Sequence, residues 1–260
     1  MLINNISVVI IAKDAENTIE KCLESLKEFS EVILYLNNSI DKTKFIAQKF
    51  LNIKIIEGEF LGFGKTKSKA SNYATNKWIL SLDSDEVLSN DFKCYLNKLN
   101  LNNNNKVYSI LRINYYKNQE IKHCWSKDEI VRLYNRDKTN YNQALVHEKI
   151  IVNKAENELI KGIVKHYPYN NMSDFIIKAD RYSSLFANDH VGEKKSSPMK
   201  AFSNATYSFI KTYILKRGFL DGYAGLIIAV SHATNNFFKY MKLYELNLEL
   251  KHEKSNNHSY

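Results

Sequence analysis

Three acids stand within four residues at Asp83-Ser84-Asp85-Glu86. Carboxylates this close repel one another, and a bound cation relieves the repulsion. Such oxygen donors suit Mg²⁺ or Mn²⁺, ions that also bridge to phosphate oxygens. The competing use of the cluster is an acidic helix cap with a solvated first turn. Position favours the metal–phosphate use, because Trp78-Ile79-Leu80-Ser81-Leu82 reads as a buried strand and puts the acids at its carboxyl end. Arg132 lies between Val131 and Leu133, where an unpaired charge is expensive. It is expected to pair with an acid of this cluster or with a donor phosphate. Lys65, Lys67 and Lys69 follow Gly62-Phe63-Gly64 and are candidates to face a diphosphate, although a run of lysines on a helix is more often a solvated face.

The elements that position these residues come from the first 90 positions. Residues 6–11, 32–36 and 53–56 are short β-branched runs, the pattern of strands buried on both faces. Between them, Ile19, Cys22, Leu23 and Leu26 recur at helical spacing within residues 14–28. Thr43, Ile46, Ala47 and Phe50 do the same behind a capping Asp41. Residues 66–75 read as a further helix. This alternation predicts an α/β fold, a Rossmann-like and mostly parallel sheet flanked by helices. Ligands of such sheets sit beyond the carboxyl ends of the strands, so the turns after residues 12, 36 and 82 share one rim. Further strands are expected at 108–116, 130–134 and 149–152. Helices are expected at 173–190, 201–215 and 224–248, with breaks at Gly218, Asp221-Gly222 and Gly225. The expected division is a nucleotide-binding and catalytic domain over 1–165, a helical C-terminal extension over 166–250 and a polar, frayed tail over 251–260.

Composition narrows the partners. The 260 residues carry a formal net charge of +9, with 44% hydrophobic and 12% aromatic residues. Those fractions belong to globular chains, and the charge favours anionic partners. Three cysteines without a CxxC pair argue against structural zinc and a disulfide framework and fit a reducing cytosol. No secretory signal pattern opens the sequence, and the longest apolar run, 223–230, is far short of the roughly 20 residues that span a bilayer. Aromatics and cations alternate late in the chain, as in Tyr213, Lys216, Arg217, Phe219 and again in Phe238, Lys239, Tyr240. That mixture is either helix core with ordinary basic residues outside or a surface for anionic lipid, the reading favoured here. No nucleic-acid motif is present and the acidic cluster argues against such a partner, so none is expected.

Several ordered motifs then carry a resemblance. They are Cys22-Leu23-Glu24-Ser25-Leu26, Ser39-Ile40-Asp41-Lys42-Thr43, Gly62-Phe63-Gly64-Lys65-Thr66-Lys67 and the strand ending in Asp83-Ser84-Asp85-Glu86. Val131-Arg132-Leu133-Tyr134, Val146-His147-Glu148, the His166 region and Gly218-Phe219-Leu220-Asp221-Gly222 follow. In this order and spacing they resemble family 2 glycosyltransferases of the GT-A fold, most closely the lipopolysaccharide inner-core β-1,4-glucosyltransferase branch. The resemblance implies an inverting transfer of a hexose, glucose from UDP-glucose, onto a heptose of a lipid-linked core oligosaccharide, with a divalent cation (Mg²⁺ or Mn²⁺). It implies an enzyme of the cytoplasm, peripheral on an anionic membrane surface at the inner membrane. Donor contacts are implied at Ala12, Asp14, Leu36, Asn38, Lys67, Asp83, Ser84 and Arg132, and metal contacts at Asp85, Asp83 and His147. Glu148 is the candidate base beside Asp85 at the reacting centre, with Glu86 as the competing carboxylate, and His166 could line the acceptor cleft or simply sit at a helix entry. Three positions depart from the pattern: Leu36 stands where many relatives have an Asp for uracil and ribose, Asp14-Ala15 replaces Asn-Glu, and Lys67-Ser68 replaces Lys-Asn. Capsule or glycoprotein glycans as the product, and a catalytically degenerate nucleotide- or membrane-binding relative, are the alternative readings.

Overall fold

The computed structural model of the chain describes residues 2–125, 127–142, 148–152 and 155–256. They form two compact units, Met1–Asn114 with Lys127–Pro168, and Tyr115–Ser126 with Tyr169–Tyr260. A segment from the middle of the chain thus joins the second unit, an arrangement that a contiguous division of the sequence does not anticipate.

The first unit begins β1 (Ile6–Ala12), α1 (Ile19–Glu24), β2 (Val32–Leu36), α2 (Thr43–Ala47), β3 (Ile53–Glu57), α3 (Phe63–Ser71), β4 (Trp78–Asp83). It continues with β5 (Glu86–Leu88), α4 (Asn90–Lys98) and β6 (Lys106–Tyr116), whose last two residues pair in the second unit with β7 (Gln119–Glu120). Strands β8 (Asp128–Asn135) and β9 (Glu156–Tyr169) complete a sheet of order β3-β2-β1-β4-β8-β6-β9-β5. The block β3-β2-β1-β4 is parallel, and β8 runs antiparallel to both β4 and β6. The chain builds outward from β1 to β3, then returns to place β4 on the other side of β1. The point of reversal lies between β1 and β4, where ligands of open α/β sheets bind.

The apolar runs are continuous because both faces of these strands are covered. Val8 and Ile10 of β1, Leu34 of β2 and Leu80 of β4 enter one buried cluster with α1, α2 and α4. Val9, Ile33 and Ile79, one position out of phase, enter a second cluster with Ala70 and Ala74 at α3. Side chains alternate along a strand. Ile79, Ser81 and Asp83 therefore point to the α3 side of the sheet, and that parity decides what Asp83 meets.

The second unit holds α5 (Met172–His190), α6 (Pro198–Ile210) and α7 (Gly222–Asn256). A π-helical turn, Lys211–Leu215, and a 3₁₀ turn, Gly218–Asp221, join α6 to α7. Its core gathers Tyr116, Ile121, Cys124, Phe175, Ala224 and Ile228. Asp221 is buried, and its carboxylate accepts the backbone N–H groups of Lys122, His123 and Cys124 at 3.0, 3.0 and 2.9 Å. Among the described residues no helix is long and apolar enough to cross a membrane.

Three expectations need correction. Residues 149–152 form no strand; Ile150 makes only an isolated bridge to Tyr141. His166 does not open a helix but lies in the 14-residue strand β9, which Gly162 and Pro168 disguise in the sequence. Gly225 does not break its helix: a Cβ there would lie 1.9 Å from the Gly218 carbonyl oxygen, so glycine permits the helix to pass the turn closely. A similar close approach holds β9 in place, since a Cβ on Gly162 (φ +100°) would lie 2.4 Å from the Phe92 nitrogen. Gly162→Ala is expected to lower unfolding free energy by about 2–4 kcal/mol, from the unfavourable φ plus overpacking against backbone, as read by urea denaturation.

Candidate active site

Asp83 ends β4 beside Ile11 of β1, on the α3 side of the sheet. Lys67, Ala70, Ser71 and Ala74 recur at i, i+3, i+4 and i+7, which turns the lysine inward. Lys67 is only 2% exposed, and its ammonium donates to Asp83 Oδ1 at 2.8 Å and to Glu148 Oε1 at 2.7 Å. It also stands over the Tyr141 ring, 5.3 Å from the centroid. On the neighbouring strand β8, Arg132 donates from Nη2 to Asp83 Oδ2 at 2.5 Å and to Glu86 Oε1 at 3.2 Å. Arg112 of β6 donates to the same Glu86 oxygen at 3.1 Å and to Asp128 at 2.9 Å. The second Glu86 oxygen accepts the Asp83 backbone N–H at 2.9 Å. The result is an alternating chain of charges: Glu148, Lys67, Asp83, Arg132, Glu86, Arg112, Asp128.

Each member of the chain depends on its neighbours. Burial by itself pushes the Asp83 carboxyl up, but Arg132, Lys67 and Arg112 outweigh it and hold the group well below the usual carboxylate range. Burial likewise works against charge on Lys67 and Arg132, and in both cases Asp83 is the first of the neighbours that raise them instead. The stabilisation from Asp83 is complete above the unfolded carboxylate value near 4, and is lost as pH falls through the lower folded value. The guanidinium Nε atoms of Arg112 and Arg132 are buried with no hydrogen-bond partner among the described residues.

Asp85 stands apart from this chain. Its Oδ2 lies 3.5 Å from Nε2 of His166, whose Nδ1 is 2.6 Å from Asn114 Oδ1. With that amide oxygen as acceptor, Nδ1 carries a proton, and Nε2 is the ring atom turned to the carboxylate. Protonated, the ring forms an ion pair with Asp85; neutral, it offers Nε2 beside the carboxylate oxygen to a shared cation. The strand pairing that brings them together is β5 with β9, in which Glu86 is opposite His166. Among the described residues no set of three or more His, Cys, Asp or Glu side chains is grouped to hold a metal. A two-donor set nevertheless fits Mg²⁺ or Mn²⁺, which are commonly held by one or two protein groups, with phosphate oxygens and water completing the shell. A metal-bound imidazole is usually oriented by a hydrogen bond from its other nitrogen, the part Asn114 Oδ1 would play here.

The sequence candidates divide accordingly. Lys67, Asp83, Arg132 and Glu148 are brought together; Asp85 is paired elsewhere, and Lys65 and Lys69 are exposed. Ala12 and Leu36 end β1 and β2 at the rim, but the Leu36 side chain is in the core and offers only backbone there. Asp14 and Asn38 both have positive φ, at 48° and 56°. Asp14 Oδ1 accepts the Ile40 N–H at 2.8 Å, and Asp41 accepts from Glu16 at 2.8 Å, so these residues clasp the two rim loops together. Ser84 is half-buried in the turn between β4 and β5. His147 lies outside the described residues. Glu86 is 0% exposed with both oxygens occupied, whereas the Glu148 side chain is 15% exposed. Sequence reasoning missed Arg112, although Leu111 and Ile113 flank it as apolar residues flank Arg132. It also missed the Asp85–His166 pairing, for which no local signal exists.

A profile described as Glycosyl transferase family 2 matches residues 7–161. The chain belongs to glycosyl transferase family 2. Its sheet, parallel through β3-β2-β1-β4 and then mixed, with helices on both faces, is the GT-A arrangement. An uncharacterized glycosyltransferase of Rickettsia typhi is 30% identical over 94% of this chain and 88% of its own length. A lipopolysaccharide core biosynthesis glycosyltransferase, LpsC of Rhizobium meliloti, is 24% identical over 92% of each chain. Staphylococcus aureus TarS is similar in structure at a TM-score of 0.40 and 15% identity, over 95% of this chain and 91% of that one, too loosely to support any inference. In this family 2 member, Arg132→Met leaves Glu86 buried with one cation fewer. It should destabilise the protein by about 3–5 kcal/mol, measured by urea denaturation at pH 7.

Proposed function

We propose that this family 2 glycosyltransferase moves a hexose, glucose from UDP-glucose, with inversion onto a heptose of a lipid-linked core oligosaccharide. The observation that carries the reading is the division of labour among the acids closing β4: Asp83 is held by two buried cations, while Asp85 faces His166 Nε2 at 3.5 Å. The acceptor class is supported by the LpsC relative, whose name places that protein in lipopolysaccharide core synthesis.

In this reading Asp85 and His166 hold a divalent cation, which when bound supplies positive charge against the departing diphosphate. Ala12, Asp14, Leu36, Asn38 and Ser84 line the donor at the rim, where Leu36 contributes backbone and no carboxylate for the base. Lys67 and Arg132 offset the carboxylates at the floor of that rim, and Asp83 holds both in position. The acceptor hydroxyl oxygen attacks the anomeric carbon, and the bond to the diphosphate breaks with its electron pair leaving on oxygen. Glu148, at the Lys67 end of the charge chain and 15% exposed, takes the hydroxyl proton. Glu86 is unsuited to that role because burial and two arginines leave it no access to an acceptor. A lipid-linked acceptor places the enzyme at the cytoplasmic face of the inner membrane.

Thermal stabilisation by UDP should require Mn²⁺ or Mg²⁺, and should disappear in Asp85→Ala and in His166→Ala. Turnover of UDP-glucose should fall about 10²–10³-fold in either variant, the size of losing one transition-state charge contact. Glu148→Gln should keep the stabilisation by UDP while turnover falls about 10²–10⁴-fold. Stabilisation by UDP that is indifferent to chelator would sink the metal assignment. Absence of hydrolysis across a panel of nucleotide sugars would sink the transferase itself.

A further inference from the structure

The second unit displays large apolar side chains that its own core does not use. Leu215, Phe219 and Leu220 are 65%, 48% and 56% exposed, and they follow one another around the turn that joins α6 to α7. Tyr207, Ile210 and Ile214, spaced i, i+3, i+7, are exposed on the approach to that turn, and Tyr223, Leu226 and Val230 repeat the spacing on α7 beyond it. The turn is not a loose loop. Arg217 has φ 56° and Gly222 φ 57°, Gly218 and Gly225 meet closely, and three backbone N–H groups clamp Asp221. The fold thus holds outward-facing Phe219 and Leu220 on a rigid support.

Charge narrows what covers this face. From Lys194 to Tyr244 the chain has eight lysines and arginines and one acid, Asp221. That acid is turned inward, so it cancels none of the surface charge. Lys216 and Arg217, both exposed, sit between Leu215 and Phe219. A second copy of the chain would bring these cations against their own counterparts. Tyr207, Phe219 and Tyr223 could stack on bases, but the six aliphatic side chains of this face, Ile210, Ile214, Leu215, Leu220, Leu226 and Val230, offer no such platform. An anionic bilayer accommodates both components, apolar side chains among acyl chains and cations among headgroups.

We propose that residues 214–223, with the adjoining outer faces of α6 and α7, insert into an anionic lipid surface. The inference deepens the lipid-linked acceptor proposed above, and its test is read separately from donor chemistry. The full chain is sedimented with vesicles of phosphatidylcholine alone or mixed with phosphatidylglycerol. Wild type should partition onto the mixed vesicles and only weakly onto neutral ones. Phe219→Ser/Leu220→Ser should lower that partition at least about tenfold, and Lys216→Glu/Arg217→Glu should abolish the preference for the mixed vesicles. Both variants change exposed side chains, so each should keep wild-type helicity and wild-type stabilisation by UDP with Mn²⁺. Wild type left in the supernatant, or variants that partition as wild type does, would overturn the inference. So would a dimer lost in Phe219→Ser/Leu220→Ser without vesicle binding, which assigns the face to a second copy, or capture by oligonucleotide in place of vesicles.

Discussion

The first unit depends on seven charges arranged in alternation across α3, β4, β8 and β6. Glu86 and Lys67 are almost wholly removed from water, and Arg132 nearly so. None of them could remain charged there alone, because the desolvation cost is several kcal/mol per ion and is offset only by close opposite charges and hydrogen bonds. The alternation supplies those partners at 2.5–3.2 Å from Glu148 to Asp128. Four carboxylates and three cations leave the chain one negative charge in excess.

This constraint explains why adjacent acids in one motif have different chemistry. Asp83 follows the parity of β4 and is drawn to Lys67 and Arg132. Asp85, two residues on, lies in the turn before β5, where the β5–β9 pairing sets its carboxylate against His166. One acid is therefore held between Lys67 and Arg132 while the other faces His166. In the opposite direction along the sheet, Asp14, Glu16, Ser39 and Asp41 use their side chains to bind the rim loops to each other. The Ser39-Ile40-Asp41-Lys42-Thr43 motif is in this sense a clasp: Thr43 Oγ1 accepts the Ala15 N–H at 2.8 Å.

The second unit solves a different problem with related means. Its turn between α6 and α7 has a left-handed arginine and closely approaching glycines, which are unfavourable in a loop without support. Asp221 provides that support by satisfying three successive backbone donors of the segment that precedes Trp125. The Gly218-Phe219-Leu220-Asp221-Gly222 motif thus has inward members that build the turn and outward members, Phe219 and Leu220, that the turn presents.

What the sequence by itself determined is the local framework and the neighbourhood of the acids. Strands β1 to β4 were legible because β-branched runs bounded by polar turns leave few other conformations, and Arg132 announced a buried partner by its apolar flanks. Residues 14–28 shortened to α1, and Leu26 packs into the core from the turn that follows it. Strand β9 stayed hidden, since its alternation is irregular and it contains a glycine and a proline. Tertiary structure alone decided which cation meets which acid, why Glu86 is sealed while Glu148 stays partly exposed, and that His166 rather than a residue close in sequence faces Asp85. Those outcomes depend on strand order and register between segments 80 residues apart, as in Glu86 opposite His166, and a shift of one residue would turn each side chain to the other face of the sheet.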